Sequence, residues 1–113
     1  MKKIILDTSF ILTCVKQKID FFEELIGNQI LISEQVINEV KKQKTSNSEL
    51  TLKILGKNKF KKIDIGKGHV DKRIILFAKK NPKIIVATLD RGIKKGIKNQ
   101  KLIIRGKKKL EII

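Results

Sequence analysis

The chain has 113 residues, with 27 Lys and Arg against 11 Asp and Glu, and a formal net charge of +16 at pH 7. This length suits one small domain with a single core, and the longest apolar runs are far shorter than the roughly 20 residues of a membrane-spanning helix. The positive charge favours RNA or DNA as a partner, although an AT-rich genome would also enrich Lys and Ile.

Cysteine and histidine usage limits the metal and redox chemistry of the chain. Cys14 is the only cysteine and His69 the only histidine, which excludes an internal disulfide and the usual Cys/His zinc site. A reducing, cytoplasmic setting is expected. The start "MKKIILDTSFILTCV" is not expected to act as a secretion signal, because Asp7 interrupts its apolar run and no small-residue cleavage site follows.

Short apolar runs alternate with amphipathic stretches, which predicts βα units on a parallel sheet. In the first half, "KKIIL" predicts a buried strand, followed by helices around "SFILTCVK" and "DFFEELIG". Asp20 is the predicted N-cap of the second helix and Gly27 its stop. "QILIS" predicts another strand, and Ser33 is the predicted cap of the helix "EQVINEVKKQ".

The second half continues the alternation. "KTSNSELTLKILG" predicts a helix capped by Ser46 or Asn47 and stopped by Gly56, and "FKKIDIG" a short strand. "VDKRIILFAKKN" predicts a helix, "KIIVATL" a strand, "DRGIKKGIKN" a short weak helix and "KLIIRG" a further strand. The tail "KKKLEII" fits either a last strand or a frayed end. We therefore predict one α/β domain over residues 1–113, with a central parallel sheet of about five strands flanked by helices.

Four carboxylates occupy positions from which they could meet. Asp7 and Asp90 each follow an apolar strand, and binding crevices of parallel sheets lie beyond such strand ends. Asp71 lies in the first turn of its helix, and Glu39 lies on the flank of an apolar helix face. Converging carboxylates repel one another, and a set without Cys or His selects Mg²⁺ or Mn²⁺. On a basic protein, this predicts phosphodiester hydrolysis.

Each of these acids also has a purely structural interpretation. Asp7 and Asp90 could cap the helices that follow them, and Asp71 could interact only with the dipole of its helix. Glu39 could be a solvated surface charge among lysines. The spacing alone leaves these alternatives open.

The order of the segments resembles the PIN-domain family of ribonucleases. "IILDTSFIL" resembles the opening strand with its first acid, "VINEV" the helix with the Glu, "VDKRIILFAKK" the helix with the third acid and "VATLDRGIKK" the segment with the last. The resemblance implies a Rossmann-like sheet, Mg²⁺ or Mn²⁺ as cofactor, and RNA hydrolysis. It places Asp7, Glu39, Asp71 and Asp90 at the catalytic and metal-binding positions.

The resemblance also implies supporting residues and shows a departure. Ser9 and Thr88 stand where the family often has polar supporting residues. Lys72 stands where the family often has a further acid, which leaves the number of metal ions open. Asp64 is the alternative to Asp71 as third acid, but it falls in the strand-like "FKKIDI".

The basic C-terminal half supplies the predicted RNA contacts. "VATLDRGIKKGIKNQKLIIRGKKKLE" resembles short archaeal stand-alone PIN proteins and rRNA-processing PIN endonucleases. The predicted RNA-binding residues are Arg91, Lys94, Lys95, Lys98, Lys107, Lys108 and Lys109. For the lysines, a solvated surface without RNA contact is the alternative.

Three functions follow from these observations. The first is a metal-dependent endoribonuclease in rRNA or other RNA processing, the second a toxin ribonuclease with an antitoxin partner, and the third an inactive RNA-binding scaffold. RNA is the expected partner in all three; a homodimer and a ribosome-assembly partner stay open, and no membrane association is expected.

Overall fold

The computed structural model describes residues 1–106 and 108–113, in which strands and helices alternate as the sequence predicts. The strands are β1 (Lys3–Leu6), β2 (Gln29–Ser33), β3 (Lys61–Ile63), β4 (Ile85–Ala87), β5 (Lys101–Arg105) and β6 (Lys109–Ile112). The helices are α1 (Thr8–Lys16), α2 (Phe21–Glu24), α3 (Glu34–Gln43), α4 (Ser46–Lys57), α5 (Val70–Lys80) and α6 (Arg91–Gly96).

The strands form one sheet in the order β3-β2-β1-β4-β5-β6. The pairings from β3 to β5 are all parallel, and Ile4 of β1 lies between Ile30 of β2 and Ile85 of β4. Along the chain, β2 and β3 are added on one side of β1, and β4, β5 and β6 on the other side. The strand order therefore reverses between β1 and β4. Such a reversal is where open α/β sheets form their binding crevice.

The prediction of an α/β domain with a parallel sheet of about five strands is confirmed, because β3, β2, β1, β4 and β5 pair in parallel and one further strand joins them. The additional strand is β6, which comes from the tail whose sequence was ambiguous and which pairs antiparallel with β5. An antiparallel partner needs only a short turn. Gly106, with φ 63°, lies in the connection between Arg105 and Lys109.

Side-chain caps begin α2, α3, α4 and α6, whereas the N-cap residues of α1 and α5 make no capping hydrogen bond within the described residues. Ser33 accepts a hydrogen bond from the Val36 backbone N–H and begins α3, and Asp20 caps α2 as predicted. The predicted boundaries of α4 are wrong, because Thr45 is the cap and the helix continues through Gly56 to Lys57. Thr45 and Ser48 form a reciprocal capping box that the neighbouring Ser46 and Asn47 do not offer.

The core fixes the middle of the sheet. Apolar side chains of β1 and β4 are buried, as a strand covered on both faces requires. Phe10 of α1 and Phe21 of α2 are fully buried, with ring centroids 6.4 Å apart at an interplanar angle of 69°. Burying a side chain of this size contributes about 1.5–3 kcal/mol. This packing joins α1, which begins two residues after β1 ends, to α2 within the core.

Across the described part of the chain, no helix is both long and apolar enough to cross a membrane.

We predict that Cys14 is chemically inert in the folded protein. Its thiol is fully buried in α1, and burial, followed by the negative charge of Glu24, raises its pKa to about 12. The folded state therefore favours the neutral thiol, so stability falls as the pH rises above the ordinary thiol pKa of 9.0. A thiol reagent at pH 9 should label Cys14 only as fast as the protein unfolds. Rapid labelling without denaturant would contradict this.

Candidate active site

The four predicted acids line one cavity at the edge of the sheet. This cavity has a volume of about 540 Å³, and we call it the acidic cavity; its lining residues are Asp7, Thr8, Ser9, Leu12, Glu39, Lys42, Gln43, Asp71 and Asp90. It lies beyond the C-terminal ends of β1 and β4, where the strand order reverses. The predicted convergence of the carboxylates is therefore present in the structure.

The end of β1 is aligned with the end of β4. Leu6 pairs with Ala87, and the Asp7 backbone N–H donates to the Ala87 carbonyl oxygen at 2.9 Å. This register places Asp7 beside Thr88, the first residue after β4. Two segments that are 81 residues apart in sequence thus meet at one point.

Asp7 is held by hydroxyl groups and does not cap α1. Its Oδ2 accepts hydrogen bonds from the hydroxyl groups of Ser9, at 2.7 Å, and Thr88, at 2.9 Å. Asp7 occupies the N-cap position of α1, but its side chain makes no capping hydrogen bond. The side chain is only 3% exposed. The capping interpretation of Asp7 is therefore wrong, and Ser9 and Thr88 contact the acid that they were predicted to support.

Those two hydroxyl groups also fix the backbone after β4. The Thr88 Oγ1 accepts from the Asp90 backbone N–H at 3.1 Å, and the Ser9 Oγ accepts from the Leu89 backbone N–H at 3.2 Å. Each hydroxyl thus donates to Asp7 and accepts from the segment that carries Asp90. One small network sets the separation of these two acids.

Glu39 is held by a residue that the sequence reasoning missed. Thr8 at the start of α1 donates its hydroxyl hydrogen to the Glu39 Oε1, with an oxygen–oxygen distance of 2.5 Å. Glu39 is half-buried, so its interpretation as a solvated surface charge is wrong. The available signal was the position of Thr8, between Asp7 and Ser9.

Asp90 has a structural role as well as a place in the cavity. Its Oδ1 accepts a hydrogen bond from the Ile93 backbone N–H at 2.9 Å, which caps α6. The capping interpretation is thus correct for Asp90. A Cβ atom at Gly92 would come within 3.1 Å of the same Oδ1, so the small residue at this position leaves the carboxylate room.

In three of the four carboxylates, only one of the two oxygens accepts a hydrogen bond within the described residues. Asp7, Glu39 and Asp90 each have one oxygen fixed by a hydrogen bond. Within residues 1–106 and 108–113, the second oxygen of each has no hydrogen-bond partner, and neither has the Asp71 carboxylate. This pattern leaves acceptor atoms available at fixed positions.

The charges of the four acids act on one another. Asp71, which lies in the first turn of α5, is largely exposed. Its pKa is raised, first by partial burial and then by the negative charges of Asp90, Asp7 and Glu39, while His69 lowers it. Repulsion from all three other acids agrees with the shared cavity. The carboxylates of the acidic cavity therefore repel one another, and a bound cation would reduce this repulsion.

The donor set fits a hard divalent cation. All four candidate ligands are carboxylates, which suit Mg²⁺ or Mn²⁺. As the side chains stand, the described residues hold no group of three or more His, Cys, Asp and Glu close enough to form a ready-made metal site. Mg²⁺ commonly binds through one or two carboxylates and keeps several waters, so a fully closed set of ligands is not required.

Asp64 lies outside the acidic cavity. It follows β3 directly, and its carboxylate accepts hydrogen bonds from the Gly66 backbone N–H at 2.8 Å and from the Gln35 side chain at 2.7 Å. These two contacts hold its pKa below the ordinary value against the opposing effect of burial, and the charge of Arg73 adds to the lowering. Asp64 therefore organises the turn after β3, and Asp71 is the acid that joins the other three.

The predicted RNA-binding residues do not form one surface. Arg91 begins α6 directly after Asp90, and Lys94 lies in the last turn of this short helix. The hairpin between β5 and β6 brings Lys108 and Lys109 to the same edge of the sheet as Asp90, beyond β4 and β5. Lys95 and Lys98 instead line a cavity on the other side of α6. Lys107 lies outside the described residues.

Comparison with known proteins agrees with this architecture. The sequence model of the PIN domain matches residues 4–110. The chain belongs to the PIN-domain family. A comparison with curated proteins finds no match.

Two solved structures are similar to the chain along most of its length. One is described as the PIN domain endonuclease Utp24, with a TM-score of 0.85 and 26% identity over 97% of this chain and 90% of that chain. The other is a domain of a functionally unknown protein from Methanocaldococcus jannaschii DSM 2661, with a TM-score of 0.62 and 17% identity over 100% and 99% of the two chains. The second likeness concerns the fold alone.

We predict that removing one charge from the acidic cavity stabilises the metal-free protein. Asp71→Asn relieves the repulsion that raises the pKa of Asp71. Because Asp71 is exposed and screened by solvent, the gain should be about 0.5 kcal/mol, or about 2 °C in Tm, at low salt. Thermal unfolding at pH 7 in EDTA measures it.

Asp64→Asn is the matched control, because it removes the same charge from a site that favours the ionised form. The lowered pKa of Asp64 means that its ionisation adds stability above its unfolded pKa, and this stability is lost as the pH falls through the folded pKa. Its Tm should fall or stay unchanged at pH 7. Equal effects of the two substitutions would show that general charge, and not the acidic cavity, is responsible.

Proposed function

We propose that this PIN-domain protein is a divalent-metal-dependent endoribonuclease that hydrolyses RNA phosphodiester bonds, with Mg²⁺ or Mn²⁺ as cofactor. The observation that carries the proposal is the convergence of Asp7, Glu39, Asp71 and Asp90 on one cavity. The chain has only 11 Asp and Glu residues, so a large share of its acidic side chains lies in the acidic cavity. The PIN family and the likeness to the endonuclease Utp24 support nuclease activity.

The residues of the chain have distinct roles in this proposal. The oxygens of Asp7, Glu39 and Asp90 that lack hydrogen bonds within the described residues are the candidate metal ligands, with Asp71 contributing its charge. A divalent ion held there supplies positive charge beside the phosphate and lowers the pKa of water.

Three hydroxyl groups and one ammonium group complete the site. Ser9 and Thr88 orient Asp7, and Thr8 orients Glu39. Hydrogen bonds of this kind fix the direction of ligand oxygens. Lys42 is the cation among the lining residues, and its ammonium group can neutralise a phosphate oxygen of the bound RNA.

We propose RNA processing as the biological role, with rRNA as the candidate class of substrate. The support is the segment from Val86 to Glu111, which resembles rRNA-processing PIN endonucleases. The single, buried Cys14 fits a reducing, cytoplasmic setting.

The first test removes ligand charges from the acidic cavity. Asp7→Asn and Asp90→Asn should each reduce cleavage of a labelled RNA by at least about 100-fold, because electrostatic stabilisation at the reacting phosphate is lost. Asn still caps helices well, so Asp90→Asn should keep α6 folded. Mn²⁺ at 100 times its Kd should stabilise the unsubstituted protein by roughly 2.7 kcal/mol, and each variant by less.

Asp20→Asn is the matched control for this test. Asp20 caps α2 and does not line the acidic cavity, so its substitution should change neither cleavage nor the response to Mn²⁺. RNA binding by the Asp7→Asn protein should be kept or strengthened, since a negative charge is removed from a phosphate site. Cleavage at full rate by Asp7→Asn would disprove the assignment.

The second test concerns Thr8, which donates its hydroxyl hydrogen to Glu39. Thr8→Val should lower metal affinity or activity by about 10- to 100-fold, as substitutions of residues that orient metal ligands do. Thr51→Val is the control, because Thr51 is also buried but donates to the Asn47 carbonyl oxygen in α4. If the two variants had equal Mn²⁺ affinity and activity, Thr8 would have no positioning role.

A further inference from the structure

A second charged surface lies at the edge of the sheet where the strands begin. It consists of two adjoining cavities that share Pro82 in their lining, and we call them together the basic groove. The lysines that line the first cavity, of about 620 Å³, are Lys2, Lys3, Lys80 and Lys83. The lysines that line the second, of about 450 Å³, are Lys79, Lys95 and Lys98.

The basic groove and the acidic cavity lie at opposite edges of the sheet. β1 begins at Lys3 and β4 at Ile85, and the two strands are parallel. Their starting ends therefore share the edge that carries the basic groove. Their other ends lead to Asp7 and Asp90 in the acidic cavity.

The lysines of the basic groove are not neutralised by the protein. Among the described residues, no Asp or Glu lines either cavity, and all seven lysines are exposed. In the part of the chain that the structure describes, the ion pair found is the one between Arg105 and Glu111, and neither residue lines the basic groove. These lysines repel one another, and an anionic partner would reduce that repulsion.

Helix dipoles explain only some of these lysines. Lys79, Lys80 and Lys95 lie in the last turns of α5 and α6, where cations favour the negative end of the dipole. Lys2, Lys3, Lys83 and Lys98 lie outside helices, so the dipole gives no reason for their position. Four of the seven lysines therefore call for another explanation.

We propose that the basic groove binds the phosphate backbone of RNA outside the cleavage site. This inference rests on the proposed function, in which the acidic cavity meets one phosphodiester. The four carboxylates repel the rest of a polyanion, so phosphate contacts away from the acidic cavity are needed for affinity, and the basic groove adds such contacts. The substrate is then an RNA long enough to extend across a domain that measures 33 × 30 × 24 Å.

The groove recognises the backbone and not the bases. No aromatic residue lines either cavity, and the chain has no Trp or Tyr, so base stacking contributes nothing here. Phosphate contacts carry no direct sequence information. The groove therefore contributes affinity and register to long RNA without selecting its sequence.

The test compares two triple variants with the same change of charge. Lys80→Gln, Lys83→Gln and Lys98→Gln remove three lysines from the basic groove. The control, Lys53→Gln, Lys57→Gln and Lys62→Gln, removes three exposed lysines that line neither the basic groove nor the acidic cavity. Thermal unfolding verifies that both variants are folded.

Affinity for a long single-stranded RNA is measured in EDTA at several salt concentrations. In the groove variant the slope of log K against log salt should become shallower by about 2, at about 0.7 for each phosphate contact to a single strand. The control variant should keep the slope and affinity of the unsubstituted protein.

Binding in EDTA separates this inference from the proposed function, because no cleavage is measured. Equal losses in the groove and control variants would overturn it, since net charge alone would then explain binding. Unchanged RNA affinity of the groove variant would also overturn it and would assign the lysines to another anion, such as an acidic protein surface.

Discussion

The parallel pairing of β1 with β4 is the contact on which the site depends. The Asp7 backbone N–H donates to the Ala87 carbonyl oxygen, and the Thr88 hydroxyl then reaches the Asp7 carboxylate. If this register shifted by one residue, the side chains after each strand would change faces. Asp7 and Asp90 would then no longer share a cavity. The buried apolar side chains of both strands make such a shift costly.

Hydrogen bonds from hydroxyl groups allow the protein to hold like charges together. A pair of carboxylates about 4 Å apart repels by roughly 4 kcal/mol at an effective dielectric constant of 20. Asp7 accepts hydrogen bonds from two hydroxyl groups and Glu39 from one, while Asp90 accepts one from a backbone N–H. Partial burial, followed by the charges of Asp90, Asp7 and Glu39, raises the pKa of Asp71. A bound cation would reduce the repulsion that remains among the four carboxylates.

Structural and functional interpretations of one residue do not exclude each other here. Asp90 caps α6 with one oxygen and faces the acidic cavity with the rest of its carboxylate. Asp7 has the sequence position of a cap but does not act as one, because its carboxylate is engaged by Ser9 and Thr88. The sequence could not separate these cases, since both acids follow a strand and precede a helix.

Local patterns in the sequence were sufficient for the order of elements, for the acids at the ends of the strands and for the caps Ser33 and Asp20, because these depend on neighbours within a few residues. Tertiary structure alone decided the rest. The contact between Thr8 and Glu39 spans 31 residues and requires α1 to pack on α3. The basic groove joins Lys2 to Lys98 only because parallel strands begin at one edge. Such contacts depend on which distant strands pair, and the spacing of residues along the sequence does not show this.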